Sequence, residues 1–270
     1  ADGYFNSICI FKGEGSIKGT VDYYCGINDS GELFVKDIKD LPKADGRWLL
    51  IWFIIYLSFL LLDTFIPNYQ GTAIIKYVGI FLCIVYAYQK YHSDTALILA
   101  LLFTFLADTI LVWTRYEIMG VFCFCIAQTA HLIRLNRRYA ANIKLLVLIL
   151  SAILLLALIF KAPPIYAISC VYIILLVTNF ILAIKDYHKN KANVHSRYGF
   201  YGFQLFICCD ICVALRHLMM DGLLGNAMLP LINYLIWVFY YPSQVLIANS
   251  SDKKPTPLKR ASTKLQKEPE

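Results

Sequence analysis

The chain has 270 residues, of which 59% are hydrophobic and only 16% are charged, and its mean hydropathy is +0.59. A soluble domain has roughly 45–50% apolar and about 25% charged residues. This composition excludes a secreted disulfide scaffold, a basic nucleic-acid-binding domain and a soluble enzyme with one membrane anchor, because the hydrophobic character persists far along the chain. What remains is a polytopic membrane protein with short polar ends.

The first 47 residues are polar and carry a net charge of −2. They contain no basic stretch followed by an apolar run, so no signal peptide is expected. Between Ser16 and Lys36 the polarity alternates on either side of a Gly, Asn, Asp and Ser cluster, which predicts a small β-hairpin. We interpret residues 1–47 as a cytoplasmic cap that precedes the membrane domain.

Apolar stretches long enough to be transmembrane helices follow, since a helix needs about 20 such residues to cross roughly 30 Å of hydrocarbon. They lack the alternating ten-residue segments of a transmembrane barrel. The sequence thus predicts an all-α bundle of eight transmembrane helices over residues 48–249 and a disordered basic tail over 250–270. The predicted spans are 48–66, 71–89, 95–114, 117–136, 143–161, 164–185, 197–217 and 229–249.

The distribution of basic residues between the loops predicts the orientation, because Lys and Arg are retained on the cytoplasmic side. The connections on one side have only Lys76, Arg115, Lys161 and Arg216 in or near them. All the other basic residues beyond residue 40 fall on the opposite side. We therefore expect an integral, multi-pass protein of the cell membrane with both termini in the cytoplasm.

Two acidic residues lie deep inside the predicted spans, where a carboxylate costs at least about 2.5–3.5 kcal/mol on insertion scales. They are Asp108 on the third span and Asp210 on the seventh. Asp63 lies near the outer end of the first span, where water can reach it. Asp108 and Asp210 each lie thirteen residues after the cytoplasmic start of the predicted span, so both are expected about 20 Å from that edge. The acids are thus predicted to share one level in the membrane.

The spans that follow the two acids also resemble each other. Phe124 and Gln128 on the fourth span have the same spacing as Tyr240 and Gln244 on the eighth. A four-helix unit repeated in parallel, with a pseudo-two-fold axis along the membrane normal, would generate both coincidences and bring Asp108 opposite Asp210.

Three interpretations of the acid pair stay open at this point. Two carboxyl groups close together in a low-dielectric pocket cannot easily both ionise, so they supply an acid and a base for catalysis. The same pair suits binding of a translocated proton or cation. Alternatively, each acid bonds a polar partner on a neighbouring helix and has a structural role.

Other polar side chains on the spans are the candidates for contact with substrate, although amides in membranes also join helices together. Lys76, early in the second span, either snorkels or neutralises an anionic headgroup. Cys208, Cys209 and Cys212 surround Asp210 but lack a second ligand pair at metal spacing, so we expect neither a metal nor another cofactor. The candidates for substrate contact are Gln128, Asn179, Asn233, Tyr240 and Gln244.

Two blocks of the sequence resemble a known family. LLFTFLADTILVW, starting at Leu101, leads into GVFCFCIAQ, and GFQLFICCDICVAL, starting at Gly202, leads into NYLIWVFYYPSQVLIANS. Together they resemble the third, fourth and last two helices of the YhhN-type, lysoplasmalogenase-like family of eight-span membrane proteins. Many members have His where Gln128 stands, and because an amide cannot carry a proton, the resemblance leaves acid–base chemistry to the two aspartates.

The resemblance implies hydrolysis of the vinyl ether bond of a lysoplasmalogen, which releases a fatty aldehyde and a glycerophospho-headgroup. The implied partners are a lysophospholipid-like substrate and the bilayer, with no nucleic acid. In this interpretation Asp108 and Asp210 are catalytic, and Gln128, Tyr240 and Gln244 orient water or the headgroup. The alternative is a proton- or cation-coupled transporter, or a lipid-binding membrane protein, that uses the same two aspartates.

Overall fold

The computed structural model describes residues 9–13, 21–27, 33–37, 46–66, 70–114, 116–136, 143–191 and 193–252. The chain divides into two units, residues 1–49 and residues 50–270. The first unit contains an antiparallel sheet of three strands in the order β1 (Cys9–Gly13), β2 (Val21–Ile27) and β3 (Leu33–Asp37). Strands β2 and β3 lie where the sequence predicts a hairpin, and β1 adds a third strand, pairing Gly13 with Val21.

Eight helices follow, and the described part of the second unit is helical. Seven of them are long and apolar enough to cross a membrane. The fifth has 17 residues, which gives a length of about 26 Å against roughly 30 Å of hydrocarbon. The helices are α1 (Gly46–Phe65), α2 (Gln70–Tyr91), α3 (Thr95–Trp113), α4 (Glu117–Asn136), α5 (Ile143–Ile159), α6 (Pro164–Lys189), α7 (Val194–Met220) and α8 (Leu229–Ala248).

The start of α7 differs from the sequence prediction by three residues. Asn193 caps the helix, because its side-chain oxygen accepts a hydrogen bond from the backbone N–H of His195 at 3.0 Å. Asp210 therefore lies sixteen residues after the start of α7, whereas Asp108 lies thirteen after the start of α3. The two acids are therefore not at equal distances from the starts of their helices. Whether they lie near each other has to be judged from the side-chain contacts around them.

Helices α2–α4 and α6–α8 pack in corresponding ways, whereas the packing of α5 on α6 has no counterpart of similar extent between α1 and α2. Helix α3 packs on α4 and α7 on α8, while α2 lies against α3 and α8, and α6 against α7 and α4. Glycine permits close approach between α7 and α8, because a Cβ at Gly202 would lie 3.1 Å from the backbone nitrogen of Ile247. At Gly79 of α2 a Cβ would lie 2.3 Å from the ring of Tyr241. Small residues at interfaces are typical of helix packing in membranes.

The last turn of α8 and the three residues that follow Asn249 tie several helix ends together. Ser251 donates a hydrogen bond to Asp94, before α3, at 2.7 Å, and Arg134 of α4 donates to Ser250 at 2.8 Å. Residues 250–252 are therefore folded against the bundle, which moves the start of the expected tail beyond residue 252. The rest of that tail lies outside the described residues.

Helix α1 contributes few buried side chains to the second unit, namely Trp52 and Phe59. It also makes a polar contact to α8, in the turn that precedes Pro242. This proline lies inside α8. A proline has no N–H, so the carbonyl of Val238, four residues earlier, loses its helical hydrogen bond. Tyr56 of α1 donates its hydroxyl to this carbonyl at 3.1 Å and so replaces the missing bond.

We predict that Tyr56→Phe lowers the free energy of unfolding by about 1–3 kcal/mol, because it leaves the Val238 carbonyl without a donor. In a Pro242→Ala background the same change should cost much less, since the helix then supplies an N–H. Denaturant unfolding of the four proteins in detergent gives the coupling energy. Equal costs in both backgrounds would contradict the assignment.

Candidate active site

Asp108 is buried in the C-terminal half of α3 and is held from two other helices. The hydroxyl of Tyr240, on α8, donates a short hydrogen bond to Oδ2 of Asp108. The hydroxyl of Tyr77, on α2, donates to the main-chain carbonyl of Asp108 at 2.9 Å. These bonds fix both the backbone and the carboxyl orientation of Asp108.

Asp210 on α7 is held in a similar way from α6. The hydroxyl of Tyr172 donates to Oδ2 of Asp210 at 2.5 Å. The Tyr172 ring lies 5.6 Å from the ring of Phe124, on α4. Phe206, one helical turn before Asp210, joins the two sides, since its ring centroid is 5.8 Å from that of Tyr240 and 6.3 Å from that of Phe124.

The ring of Phe206, one turn from Asp210, lies against the ring of Tyr240, so the Asp108–Tyr240 pair and the Asp210–Tyr172 pair are neighbours in the bundle. Together the two pairs form an acid–phenol group, which we call the Asp–Tyr cluster. Among the described residues, Oδ1 of each carboxyl accepts no hydrogen bond, so each acid keeps one oxygen for a further proton or ligand. Two carboxyls in such surroundings can share one proton and act as an acid and a base.

The amide candidates separate into three environments. The side chain of Asn179 donates to both the side-chain and the main-chain oxygen of Gln128, at 2.9 and 2.8 Å, and both residues are fully buried. Gln244 is also buried and makes a long bond of 3.4 Å to Ser243. Asn233 is exposed near the start of α8, and the structure does not bring it to the cluster.

The Gln128–Asn179 pair is displaced from the cluster along α4 and α6, toward the C-terminal ends of these two helices. Asn179 is seven residues after Tyr172 on α6, which corresponds to about 10 Å along the helix. The pair joins α4 to α6 by hydrogen bonds across their interface. Its geometry is that of an interhelical contact, and of the predicted substrate-contact residues only Tyr240 bonds directly to a carboxyl of the cluster.

Sequence reasoning missed the two tyrosines that fix the acids from α2 and α6, Tyr77 and Tyr172. Nineteen tyrosines occur in the chain, and nothing in the spacing distinguishes these two. The predicted spans, which start at residue 95 and end at residue 185, also left Asp94 and Asp186 outside the helices, in loops. Both are buried, because α6 continues to Lys189 and because Asp94 is covered by the residues after α8.

These two acids line a cavity of about 80 Å³ at the end of the bundle that holds the C-terminus of α8. Its other polar walls include Arg134 and His195. Asp94 is fourteen residues before Asp108, so the cavity is about 20 Å from the Asp–Tyr cluster along α3. The cavity is therefore a separate feature.

The cysteines around Asp210 form no bridge in the structure. Cys208, Cys209 and Cys212 are free thiols, and the last two are buried. Over the described ranges, no three His, Cys, Asp or Glu side chains form a group able to hold a metal ion.

The fold and the cluster together define a multi-pass helical membrane protein with one buried and one partly buried acid, each bonded by a tyrosine. The model of the YhhN family matches residues 71–251, which is more than half of the chain. The protein therefore belongs to the YhhN family. No curated protein and no solved structure matches the chain.

We predict that Asn179→Leu lowers the free energy of unfolding by about 1–3 kcal/mol, because the buried side-chain oxygen of Gln128 then has no donor. The matched control is Asn233→Leu, the same change at an exposed position of α8, which should be nearly neutral. Thermal or denaturant unfolding in detergent measures both. If Asn179→Leu is as stable as the wild type, the pair does not hold α4 to α6.

Proposed function

We propose that the protein is a membrane hydrolase of the lysoplasmalogenase type, which cleaves the vinyl ether bond of a lysoplasmalogen to a fatty aldehyde and a glycerophospho-headgroup. The observation that carries this proposal is the Asp–Tyr cluster, in which Asp108 is buried, Asp210 is partly buried and each carboxyl accepts a hydrogen bond from a tyrosine. Membership of the YhhN family supports it.

The chemistry of a vinyl ether requires an acid first and a base second. A protonated carboxyl transfers its proton to the β-carbon, which leaves an oxocarbenium-like cation at the α-carbon and the ether oxygen. The ionised carboxyl stabilises this cation and then takes a proton from the water that adds to the α-carbon. In the collapse of the hemiacetal, the carboxyl that took the water proton donates it to the glycerol oxygen as the C–O bond breaks. The other carboxylate takes the proton of the hemiacetal hydroxyl, so the aldehyde and the alcohol are released and both acids return to their starting states.

Each tyrosine has a positioning role in this scheme. Tyr240 and Tyr172 donate to the Oδ2 atoms, so in this scheme the Oδ1 atoms of Asp108 and Asp210 are the ones that exchange protons with substrate and water. An acid held in one orientation loses less freedom on reaching the transition state. Gln244, one helical turn from Tyr240, is the nearest amide candidate for orienting water.

We further propose that all eight helices span the cell membrane, with both termini in the cytoplasm, and that they form two parallel four-helix repeats. The packing pattern supports the repeat, because α2 on α8 corresponds to α6 on α4. In this arrangement Phe124 is the counterpart of Tyr240. Phenylalanine has no hydroxyl for Asp210, and Tyr172 of α6 supplies one instead.

The alternative is a proton- or cation-coupled transporter, or a lipid-binding protein, that uses the same acids. Transporters typically break helices in matching positions of both halves to expose backbone groups to the ion. Pro242 interrupts α8, but Tyr56 occupies the carbonyl that it frees, and Pro164 lies at the start of α6. These contacts favour the hydrolase.

We predict that purified wild-type protein releases aldehyde from a 1-alkenyl lysophospholipid. Asp108→Asn and Asp210→Asn should each lower kcat by roughly 10²-fold or more, since each amide removes a proton carrier from the reaction. The matched control is Asp221→Asn, which changes an exposed acid after α7 and should keep full activity.

Activity that persists in either cluster variant would exclude the acid–base assignment. If the wild type is inactive on alkenyl lysolipids but carries protons across liposome membranes, the transporter is correct. Unfolding measurements on the same variants distinguish loss of chemistry from loss of fold.

A further inference from the structure

Lys76 is a buried cation on α2, in the same half of the bundle as the Asp–Tyr cluster. It is 6% exposed, and its ammonium lies 2.6 Å from Oδ2 of Asp63, on α1. The ammonium also lies over two aromatic rings, at 4.6 Å from the centroid of Trp237 and 5.4 Å from that of Phe59. A lysine held in this way presents a fixed positive charge to one anion.

The anion that now contacts Lys76 comes from a helix with few buried side chains. Of the residues of α1, Trp52 and Phe59 are buried. The family match begins at residue 71, so it includes Lys76 but not Asp63. The matched part of the chain thus contains a buried cation whose partner is contributed by a helix outside it.

Lys76 is also within reach of the proposed chemistry. Trp237, which lies against the ammonium, has its ring centroid 5.7 Å from that of Tyr240, the tyrosine bonded to Asp108. The ammonium is therefore within about 10 Å of the Tyr240 ring. In an extended lysoplasmalogen about six bonds, or roughly 7 Å, separate the phosphorus from the vinyl ether carbon. A phosphate at Lys76 would thus leave the vinyl ether close to the cluster.

The cavity lined by Asp94 and Arg134 does not meet this requirement. It is about 20 Å from Asp108 along α3, which is more than twice the reach from phosphate to vinyl ether. A lipid with its phosphate in that cavity could not present its vinyl ether to the cluster.

We propose that Lys76 binds the phosphate of the lysolipid headgroup and that Asp63 occupies the phosphate position until substrate displaces it. This assignment rests on the proposed function. A phosphate diester oxygen replaces the carboxylate oxygen as the acceptor of the ammonium, and α1 moves aside with Asp63. The substrate then lies with its headgroup at the end of the bundle where α1 finishes and α2 begins.

The experiment is a binding measurement with a lipid that cannot be cleaved. The probe is a 1-O-alkyl lysophosphoethanolamine, which is a saturated ether, and the comparison lipid is the matching 1-O-alkylglycerol, which lacks the phosphate. Dissociation constants are measured on purified protein in neutral maltoside micelles. Inorganic phosphate is added in a separate arm to distinguish a free anion from a headgroup.

We expect Lys76→Met to weaken binding of the phospholipid probe roughly ten- to hundredfold, and to leave binding of the alkylglycerol unchanged. The matched control is Lys90→Met on the same helix, where the ammonium lies over Tyr86 and Tyr91 near the opposite end and should not affect binding. Asp63→Asn should bind the phospholipid more tightly than the wild type, because the competing charge is gone. If Lys76→Met fails to fold, the affinity change in Asp63→Asn still tests the assignment. A purely structural ion pair predicts weaker binding in Asp63→Asn, whereas the proposed phosphate site predicts tighter binding.

The assignment is overturned if the wild type binds both lipids equally, if Lys76→Met keeps wild-type affinity, or if Asp63→Asn weakens binding. It is also overturned if inorganic phosphate binds as tightly as the lipid with the same dependence on Lys76, since the ligand is then a free anion. The binding probe is not hydrolysed, so binding and chemistry are measured separately. Binding of the probe that depends on Lys76, together with no aldehyde release from the 1-alkenyl lysophospholipid, would refute the hydrolase alone. Aldehyde release with an unchanged KM in Lys76→Met would refute the phosphate site alone.

Discussion

The arrangement of the second unit is tied to two carboxyl groups that lie in a region where a charge is expensive. An intramembrane acid costs at least about 2.5–3.5 kcal/mol unless it finds partners. Asp108 and Asp210 each accept a hydrogen bond from a tyrosine on another helix. The first bond connects α3 to α8, which are far apart in the chain, and the second connects the consecutive helices α6 and α7.

Other interhelical contacts hold the helices that carry the two acids and their tyrosines. Gly202 and Gly79 bring α7 and α2 close to α8, which places Tyr240 beside Asp108. Toward the C-terminal ends of α4 and α6, Asn179 joins α6 to Gln128, which fixes the helix that carries Tyr172. Polar side chains thus join neighbouring helices at two levels of the bundle, as is typical of helix packing in membranes.

A common principle links the proposed chemistry and the proposed phosphate site. In both, a charged side chain is held by aromatic residues and by one polar partner. For Asp108 the partner is the hydroxyl of Tyr240, and for Lys76 it is the carboxylate of Asp63, which a phosphate can replace. The ring of Trp237 lies between these two groups and sets their separation. That separation matches the distance from a headgroup to a vinyl ether, which is why the two proposals concern one lipid.

By itself the sequence determined the helical membrane class, the position of each helix to within a few residues and the two acids, because hydropathy and the cost of a buried charge are local properties. It also identified the YhhN family, which the match over residues 71–251 confirms.

The sequence could not determine the partners of the acids, since Tyr172 and Tyr77 look like any other tyrosine in a span. Nor could it show that Asp94 and Asp186 are buried, because that depends on where α6 ends and on how residues 250–252 fold back. Those facts are decided by which helices pack together, and packing is a property of the tertiary structure.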